Sequence, residues 1–193
     1  LAAYLESLAA ARLGEMGHHE RLALLINAYN AFTLRLVLDH WPLASIRDIP
    51  AARRWDDRRF RLGGETLSLN QIEHERIRPR FREPRIHFAL VCAARGCPPL
   101  RAEAYVGDRL EEQLGDQARR VHSDARWLRF EPALGTLHLS ELYDWYGSDF
   151  RQTAGSVVDY VALYNPSVRA ALDGGRPVKI RWLPYDWSLN NKR

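Results

Sequence analysis

The amino-acid sequence predicts a single α+β domain over residues 1–193, with a central apolar helix packed on a small mixed or antiparallel sheet. Helical patterns come first along the chain, and short strands mixed with further helices follow, without the regular alternation of a doubly wound fold. An apolar fraction of 46%, with six Trp and eight Tyr, is enough to build a sizeable core, so a disordered chain is excluded. No repeat or Gly/Ser/Pro-rich linker divides the sequence into two domains.

The first forty residues predict two helices. Residues 1–13 are rich in Ala and Leu, and residues 20–39 are apolar on nearly every side, which is typical of a helix in the middle of a fold. The second helix stops at Trp41-Pro42. Because polar residues interrupt its most apolar stretch, it predicts a buried helix of a globular domain, and we expect no transmembrane segment. These interruptions are Asn27, Asn30, Thr33 and Arg35.

A hairpin and a third helix are predicted next. Residues 59–67 alternate on both sides of Gly63-Gly64, a pair that can adopt positive φ angles in a tight turn. Ser68 and Gln71 form a capping-box pattern that opens a helix from Leu69 to about Arg78, ending before Pro79.

The rest of the chain predicts strands mixed with helices. The run 86–92 is short and almost wholly apolar, as expected of a central strand covered on both faces. The other predicted elements are a helix over 108–121, strands over 127–130 and 136–139, helical segments from 141 and from 157, and a strand over 178–183.

Charge and cysteine usage narrow the class of protein. The net charge of +4 comes from 28 basic and 24 acidic residues that are interspersed, which predicts a solvated surface and no nucleic-acid partner. Two cysteines are too few for a disulfide-rich secreted scaffold or a four-cysteine zinc site. No charged and apolar leader pattern precedes the first helix.

The helix that begins at Leu69 carries an inward-facing carboxylate. Its spacing places Glu73 on one face with Ile72, Arg76 and Ile77, while His74 lies about a third of a turn away. A carboxylate turned toward a core must be paired, because burying a bare charge costs several kcal/mol or more. The partner is either Arg76 on the same face or a histidine from another element.

Cys97 is the candidate nucleophile. It lies between Gly96 and two prolines, in a rigid turn that can hold a side chain in a fixed direction. A reactive cysteine needs a histidine, and that histidine needs an orienting group, which Glu73 would supply. His87 and His74 both stay open as the base, because an extended strand would separate His87 from the turn by ~16 Å.

Other polar residues have weaker signals. Cys92 is expected to pack in the core, on the opposite strand face from His87. The amides of Asn27 and Asn30 either bind nearby loops or support the Cys97 turn as an orienter or oxyanion donor. Glu73, His74, His87 and Cys97 are also zinc-ligand types, but their spacing matches no strong metal template.

Five sequence blocks resemble the bacterial branch of the domain of unknown function 547 family, over about residues 20–190. The blocks are INAYNA at 26–31, IEH at 72–74, HFALVC at 87–92, GCPPL at 96–100 and PYDWSLN at 184–190. The resemblance implies similarity to papain-like and transglutaminase-like thiol enzymes with a reactive Cys, His and Glu. In this chain they would be Cys97, His87 or His74, and Glu73. It also implies a periplasmic or envelope location.

These observations predict a thiol hydrolase or acyltransferase that attacks an amide or ester through Cys97, with a histidine and Glu73, and with Asn27 and Arg76 as supporting polar residues. A non-catalytic binding module on the same fold is the alternative, and a zinc-dependent enzyme is the third hypothesis. We expect no cofactor under the first two hypotheses. The partner would be a peptide, another amide or ester substrate, or a protein.

Overall fold

The computed structural model describes residues 1–191 and contains ten α-helical segments in that range. They are α1 (Ala2–Ala9), α2 (His18–Asp39), α3 (Ala51–Arg54), α4 (Leu69–Gln71), α5 (Arg78–Phe81), α6 (Leu110–His122), α7 (Leu142–Trp145), α8 (Gly147–Ala154), α9 (Val157–Ala162) and α10 (Pro166–Asp173). Short 3₁₀ helices at Leu13–Glu15, Ile46–Asp48, Pro84–Phe88 and Gly107–Arg109, and a π-helix at Ile72–Ile77, connect them.

Five strands form two small sheets, which confirms the α+β class. Strands β1 (Phe60–Leu62) and β2 (Glu65–Leu67) form the predicted antiparallel hairpin around the Gly63-Gly64 turn, where both glycines have positive φ. The second sheet has the order β3 (Leu128–Glu131), β4 (Thr136–Ser140), β5 (Lys179–Leu183). It is mixed, because β4 pairs antiparallel with β3 and parallel with β5.

Helix α2 is the centre of the first of two hydrophobic clusters. Its buried side chains pack on α1, on the helix that follows the hairpin and on the hairpin itself, where the Phe32 and Phe60 rings stack at 4.7 Å. The predicted central helix is therefore confirmed, and the sheet that it packs on is the two-stranded hairpin. This helix is long and apolar enough to cross a membrane, but 61% of its most apolar window is buried inside the fold.

The second cluster contains the mixed sheet and most of the buried aromatic rings. Phe88, Tyr143, Phe150 and Tyr160 are all nearly inaccessible to solvent in it. The segment around residues 86–90 belongs to both clusters, because Phe88 packs in the second while Ile86, Ala89 and Leu90 pack in the first. This segment joins the two cores.

The predicted strand over residues 86–92 is wrong. Pro84–Phe88 is a 3₁₀ helix, and the chain then runs as a loop whose Ala89 carbonyl and Val91 N–H both bind the side chain of Asn30, at 3.0 and 2.9 Å. The run is apolar because both cores cover it, and a short apolar run does not distinguish a strand from a buried helical turn. The side chain of Asn30 replaces the partner strand.

The helix that begins at Leu69 does not end before Pro79. The Ser68/Gln71 capping box opens it as predicted, but it widens into the π-helix Ile72–Ile77 and continues through α5. The Arg78 N–H donates to the Glu73 carbonyl five residues earlier. A proline in an α-helix clashes with the carbonyl four residues before it, and the wider π turn relieves that crowding.

The C-terminal segment 184–191 runs beside the two cysteines. Isolated bridges join Ser45 to Ser188 and Ala94 to Leu189, and the N–H groups of Arg95 and Gly96 donate to the carbonyls of Ser188 and Asp186 at 2.9 and 2.8 Å. The last block found in the sequence is therefore in contact with the cysteine turn. Residues 192–193 of the predicted domain lie outside the described residues.

Candidate active site

A cavity of about 160 Å³ lies where the two hydrophobic clusters meet. Three of the four residues predicted to carry chemistry line it, namely Glu73, His87 and Cys97. The remaining wall is mainly aromatic and apolar. It consists of Tyr29, Trp55, Asn70, Leu90, Cys92, Leu142, Trp145, Tyr146, Tyr185 and Trp187.

Glu73 comes from the π-helix and is buried, with 4% of its surface exposed. Its Oε1 atom accepts no hydrogen bond from the residues that the structure describes. Arg76, one of the two partners that the sequence left open, forms its ion pair with Glu65 on the hairpin instead, because the π turn changes which side chains share a face. The other expected role, orienting a histidine, is also wrong for Glu73, since His87 binds Asp149. Glu73 keeps a free oxygen beside the cavity.

His87 is held by a carboxylate that the sequence analysis did not find. Its Nε2 atom lies 2.8 Å from Asp149 Oδ2, and its ring stacks on Tyr146 at 3.8 Å between centroids. Burial lowers the pKa of His87, and the hydrogen bond to Asp149 only partly offsets that effect. The imidazole is therefore neutral at pH 7 and fixed in orientation. With Nε2 occupied, Nδ1 is the nitrogen left for proton transfer.

Asp149 is the centre of a small ionic network. Arg78 donates from Nε and from Nη2 to its two oxygens, both at 2.8 Å. Burial acts to raise the pKa of Asp149, but the hydrogen bonds from Arg78 and His87 outweigh it and hold the pKa well below its usual range. The carboxylate stays ionised under all ordinary conditions and can orient His87.

His74 lies outside the cavity. It is exposed, and its Nδ1 atom is 3.0 Å from Arg78 Nη1 on the far side of the ionic network. Of the two candidate bases that the sequence left open, the structure brings His87, and not His74, to the cavity of Cys97. The 3₁₀ helix brings His87 to the cavity, because this helix is shorter than the strand that would have separated His87 from Cys97.

The two cysteines are in direct contact. Their Sγ atoms are 2.8 Å apart, the Cys92 N–H donates to Cys97 Sγ at 2.9 Å, and Cys92 Sγ is 3.1 Å from the Tyr185 hydroxyl. The sequence analysis expected Cys92 to face away from His87, but in the absence of a strand both line one cavity. Cys92 belongs to the site.

The pair of thiols ionises in two steps. The hydrogen bond between the two sulfurs lowers the pKa of the first ionisation of the pair, whereas burial and the charge on the first sulfur raise the pKa of the second. One negative charge is therefore shared between two sulfurs in contact, and a second ionisation is opposed. This geometry favours a singly ionised pair over two thiolates.

The loop between the cysteines is conformationally restricted. Ala93 has a φ of +61°, a conformation that is uncommon for a residue with a side chain. A Cβ atom at Gly96 would lie 2.9 Å from the Asp186 nitrogen, so only glycine fits against the C-terminal segment. These contacts hold the cysteine turn at the mouth of the cavity.

The described residues include no hydrogen bond between Cys97 and His87. Both side chains line the same cavity, so a bound substrate or a water molecule would have to bridge them.

The family model described as "Protein of unknown function, DUF547" matches residues 13–120, which is more than half of the chain. The chain belongs to this family. Neither the curated proteins nor the solved structures that were compared contain a match. The matched region of this DUF547 chain includes Glu73, His87 and both cysteines, whereas Tyr146, Asp149 and Tyr185 lie beyond it.

Asn27 and Asn30 bind loops, as the first of their two interpretations predicted. Asn27 exchanges hydrogen bonds with the backbone of Tyr105, donating at 2.8 Å and accepting at 2.9 Å, and does not line the cavity. Asn30 holds the loop that follows His87. Neither amide is aimed at the cysteine turn of this DUF547 chain.

Among residues 1–191, no group of three or more His, Cys, Asp or Glu side chains is arranged to hold a metal ion. The residues that the sequence analysis missed are Asp149, Tyr146, Tyr185 and Cys92. Tyr185 had a usable signal, since it lies in the PYDWSLN block that marks the family. Asp149 had none, because an acidic residue on a short amphipathic helix is ordinarily solvated.

Proposed function

We propose that this DUF547 chain is a thiol hydrolase or acyltransferase that acts on an amide or ester, with Cys97 as the nucleophile. The observation that carries the proposal is one cavity lined by a contacting thiol pair, a histidine fixed by a carboxylate, and a buried Glu73. Thiol enzymes pair a cysteine nucleophile with a histidine that a third polar side chain orients.

In this mechanism Nδ1 of the neutral His87 takes the proton of the Cys97 thiol, and the Cys97 thiolate attacks the carbonyl carbon. The leaving amine or alcohol then takes that proton from His87, which returns to its neutral form. The backbone N–H of Cys92 donates to Cys97 Sγ and so stabilises its thiolate form. Asp149 holds His87 through Nε2 and is the positioning residue. The acyl group then passes from sulfur to water or to an amine, which restores the thiol.

The first test is the pH dependence of iodoacetamide alkylation, measured separately at Cys97 and Cys92 by peptide mass spectrometry on protein kept reduced with a phosphine. We expect Cys97 to react with an apparent pKa below the ~8.5 of a free thiol, because the first ionisation of the pair is favoured and Cys92 donates both its N–H and its S–H to the Cys97 sulfur. His87→Ala should change this profile. His74→Ala is the matched control, since His74 lies outside the cavity, and should leave it unchanged.

The outcomes separate the hypotheses. Fast alkylation confined to Cys92 would overturn Cys97 as the nucleophile. Slow alkylation of both thiols in native protein, with no effect of His87→Ala, would leave the non-catalytic binding module. That second candidate is favoured by one observation, the missing hydrogen bond between Cys97 and His87 among the described residues.

A further inference from the structure

Glu73 is a buried carboxylate that forms no ion pair with the residues that the structure describes. Two arginines of the same helical segment are otherwise engaged, since Arg78 binds Asp149 through Nε and Nη2 and Arg76 binds Glu65. His87 also binds Asp149 and is neutral at pH 7. Two carboxylates therefore face one guanidinium at this end of the cavity, and the balance is negative.

The Glu73 carboxylate also acts on two neighbouring tyrosines. Burial raises the pKa of Tyr29 and of Tyr146, and the Glu73 carboxylate raises both further. A buried charge with an oxygen free of hydrogen bonds is costly unless a partner arrives. The partner that this site lacks is a cation or another strong N–H donor.

Another part of the cavity wall is an aromatic group formed by Trp145, Tyr185 and Trp187. Their ring centroids are 4.6 to 5.6 Å apart, and Trp145 is 43% exposed, so the group is open to solvent on one side. The faces of Trp and Tyr rings attract ammonium and guanidinium groups. Trp187 already makes one such contact, because the Arg47 guanidinium lies 5.2 Å from its centroid.

We propose that this cavity binds the ammonium group of a primary amine or of a lysine-like side chain, between the aromatic group and the Glu73 carboxylate. The volume of about 160 Å³ equals roughly five water molecules at ~30 Å³ each, which suits a short alkylammonium chain. The conclusion that such an amine is the substrate rests on the proposed function, but binding of the amine can be measured without turnover.

The test is a titration with n-butylammonium and with n-butanol at constant ionic strength, followed by tryptophan fluorescence and by NMR shifts of the indole N–H groups. The two probes have nearly the same shape and differ in charge. We expect n-butylammonium to bind at least about tenfold more tightly than n-butanol. Equal affinities, or no binding of either, would overturn the proposal, and this comparison needs no variant.

Glu73→Gln keeps the shape of the side chain and removes its charge, so it should weaken n-butylammonium binding about tenfold and leave n-butanol unaffected. Glu75→Gln is the matched control, because it makes the same change at an exposed position of the same helix. Unchanged n-butylammonium binding by folded Glu73→Gln would contradict the role of Glu73 in binding the amine. Amine binding by a chain with unreactive thiols would overturn the proposed function alone, and reactive thiols without amine binding would overturn this inference alone.

A second inference comes from the sulfur atoms. Cys92 and Cys97 are free thiols whose Sγ atoms lie 2.8 Å apart, about 0.8 Å more than a disulfide bond requires. The loop between them is held on its outer side by the C-terminal segment, and the Tyr185 hydroxyl contacts Cys92. A small movement of the side chains would join the sulfurs.

We infer that Cys92 and Cys97 form a reversible disulfide when the protein meets a peroxide. One cysteine thiolate takes an oxygen atom from hydrogen peroxide, becomes a sulfenic acid and releases hydroxide. The other thiol attacks that sulfur, the S–S bond forms, and the sulfenic oxygen leaves as water after taking up a proton. Two thiols and one peroxide thus give one disulfide and two waters, and a thiol reductant reverses the change.

The test is treatment of reduced protein with one equivalent of hydrogen peroxide, followed by intact mass measurement and peptide mapping. The monomer should lose the mass of two hydrogen atoms, with Cys92 linked to Cys97, and dithiothreitol should restore it. In Cys92→Ser the remaining Cys97 should instead carry a sulfenic acid that dimedone traps. Two alkylatable cysteines after peroxide, or disulfides only between chains, would contradict the inference, whatever the alkylation profile of the reduced thiols.

Discussion

Asp149→Ala should lower the free energy of unfolding by about 3 kcal/mol, measured by urea denaturation at pH 7. The change removes four hydrogen bonds to the carboxylate, two from Arg78, one shared with His87 and one from the Ser148 hydroxyl. Their sum is discounted because the Asp149 side chain is 19% exposed, so water can rehydrate part of the network. The loss of stability comes from leaving Arg78 and His87 without their carboxylate partner.

The same substitution should alter the acid stability of the protein. Because the folded pKa of Asp149 lies below its unfolded value near ~3.9, its contribution is fully present above about pH 4 and is lost as pH falls through the folded pKa. The stability difference between wild type and Asp149→Ala should therefore shrink below about pH 4. A difference that stays constant down to the acid transition would contradict the ionic network.

Asp144→Ala is the matched control for this prediction. It removes the same side chain from the neighbouring α7, at an exposed position with no ion pair in the part of the chain that the structure describes. Its effect should be within about 0.5 kcal/mol of zero. Asp149→Ala should in addition change the pH profile of Cys97 alkylation in the same direction as His87→Ala, since it acts through the orientation of that ring.

Asn30→Leu should cost about 2 to 5 kcal/mol in the free energy of unfolding. The Asn30 side chain is buried and is the partner of both the Ala89 carbonyl and the Val91 N–H, which no strand pairs. Leucine has a similar volume but leaves both backbone groups without a hydrogen bond in the core. The measurement is urea denaturation, with amide hydrogen exchange at Val91 as a local readout that should accelerate.

Thr33→Val provides the comparison on the same helix, one turn later. The Thr33 hydroxyl is fully buried and donates to the Tyr29 carbonyl four residues earlier, an oxygen that already lies within the helix. Its loss should cost less than about 1.5 kcal/mol and should leave exchange at Val91 unchanged. If the two substitutions had equal effects, Asn30 would not be what holds the loop after His87.

The parts of the fold that the sequence predicted are those with short-range signals. The Gly63-Gly64 hairpin, the Ser68/Gln71 capping box and the end of α2 before Trp41 each depend on residues a few positions apart. The inward direction of Glu73 also followed from helical spacing, even though its neighbours on that face changed. Local backbone chemistry fixes these features before the chain is folded.

Only those members of the candidate site that lie in the family blocks were predicted from the sequence. Asp149 reaches His87 from 62 residues away, and Tyr185 reaches Cys92 from 93 residues away, so no spacing rule could connect them. The strand expected at residues 86–92 misplaced His87 and Cys92 because a buried apolar run is compatible with several backbone conformations.

The sequence by itself determined an α+β domain with a long apolar helix, a hairpin, an inward Glu73 and a cysteine in a rigid Gly-Cys-Pro-Pro turn. Only the tertiary structure decided that His87 and not His74 reaches the cavity, that Asp149 orients it, that Glu73 Oε1 accepts no hydrogen bond within residues 1–191, and that the two sulfurs touch. The physical reason is that helix caps and turns are set by neighbours along the chain, whereas the partners of buried charges and thiols are set by how the two cores pack together.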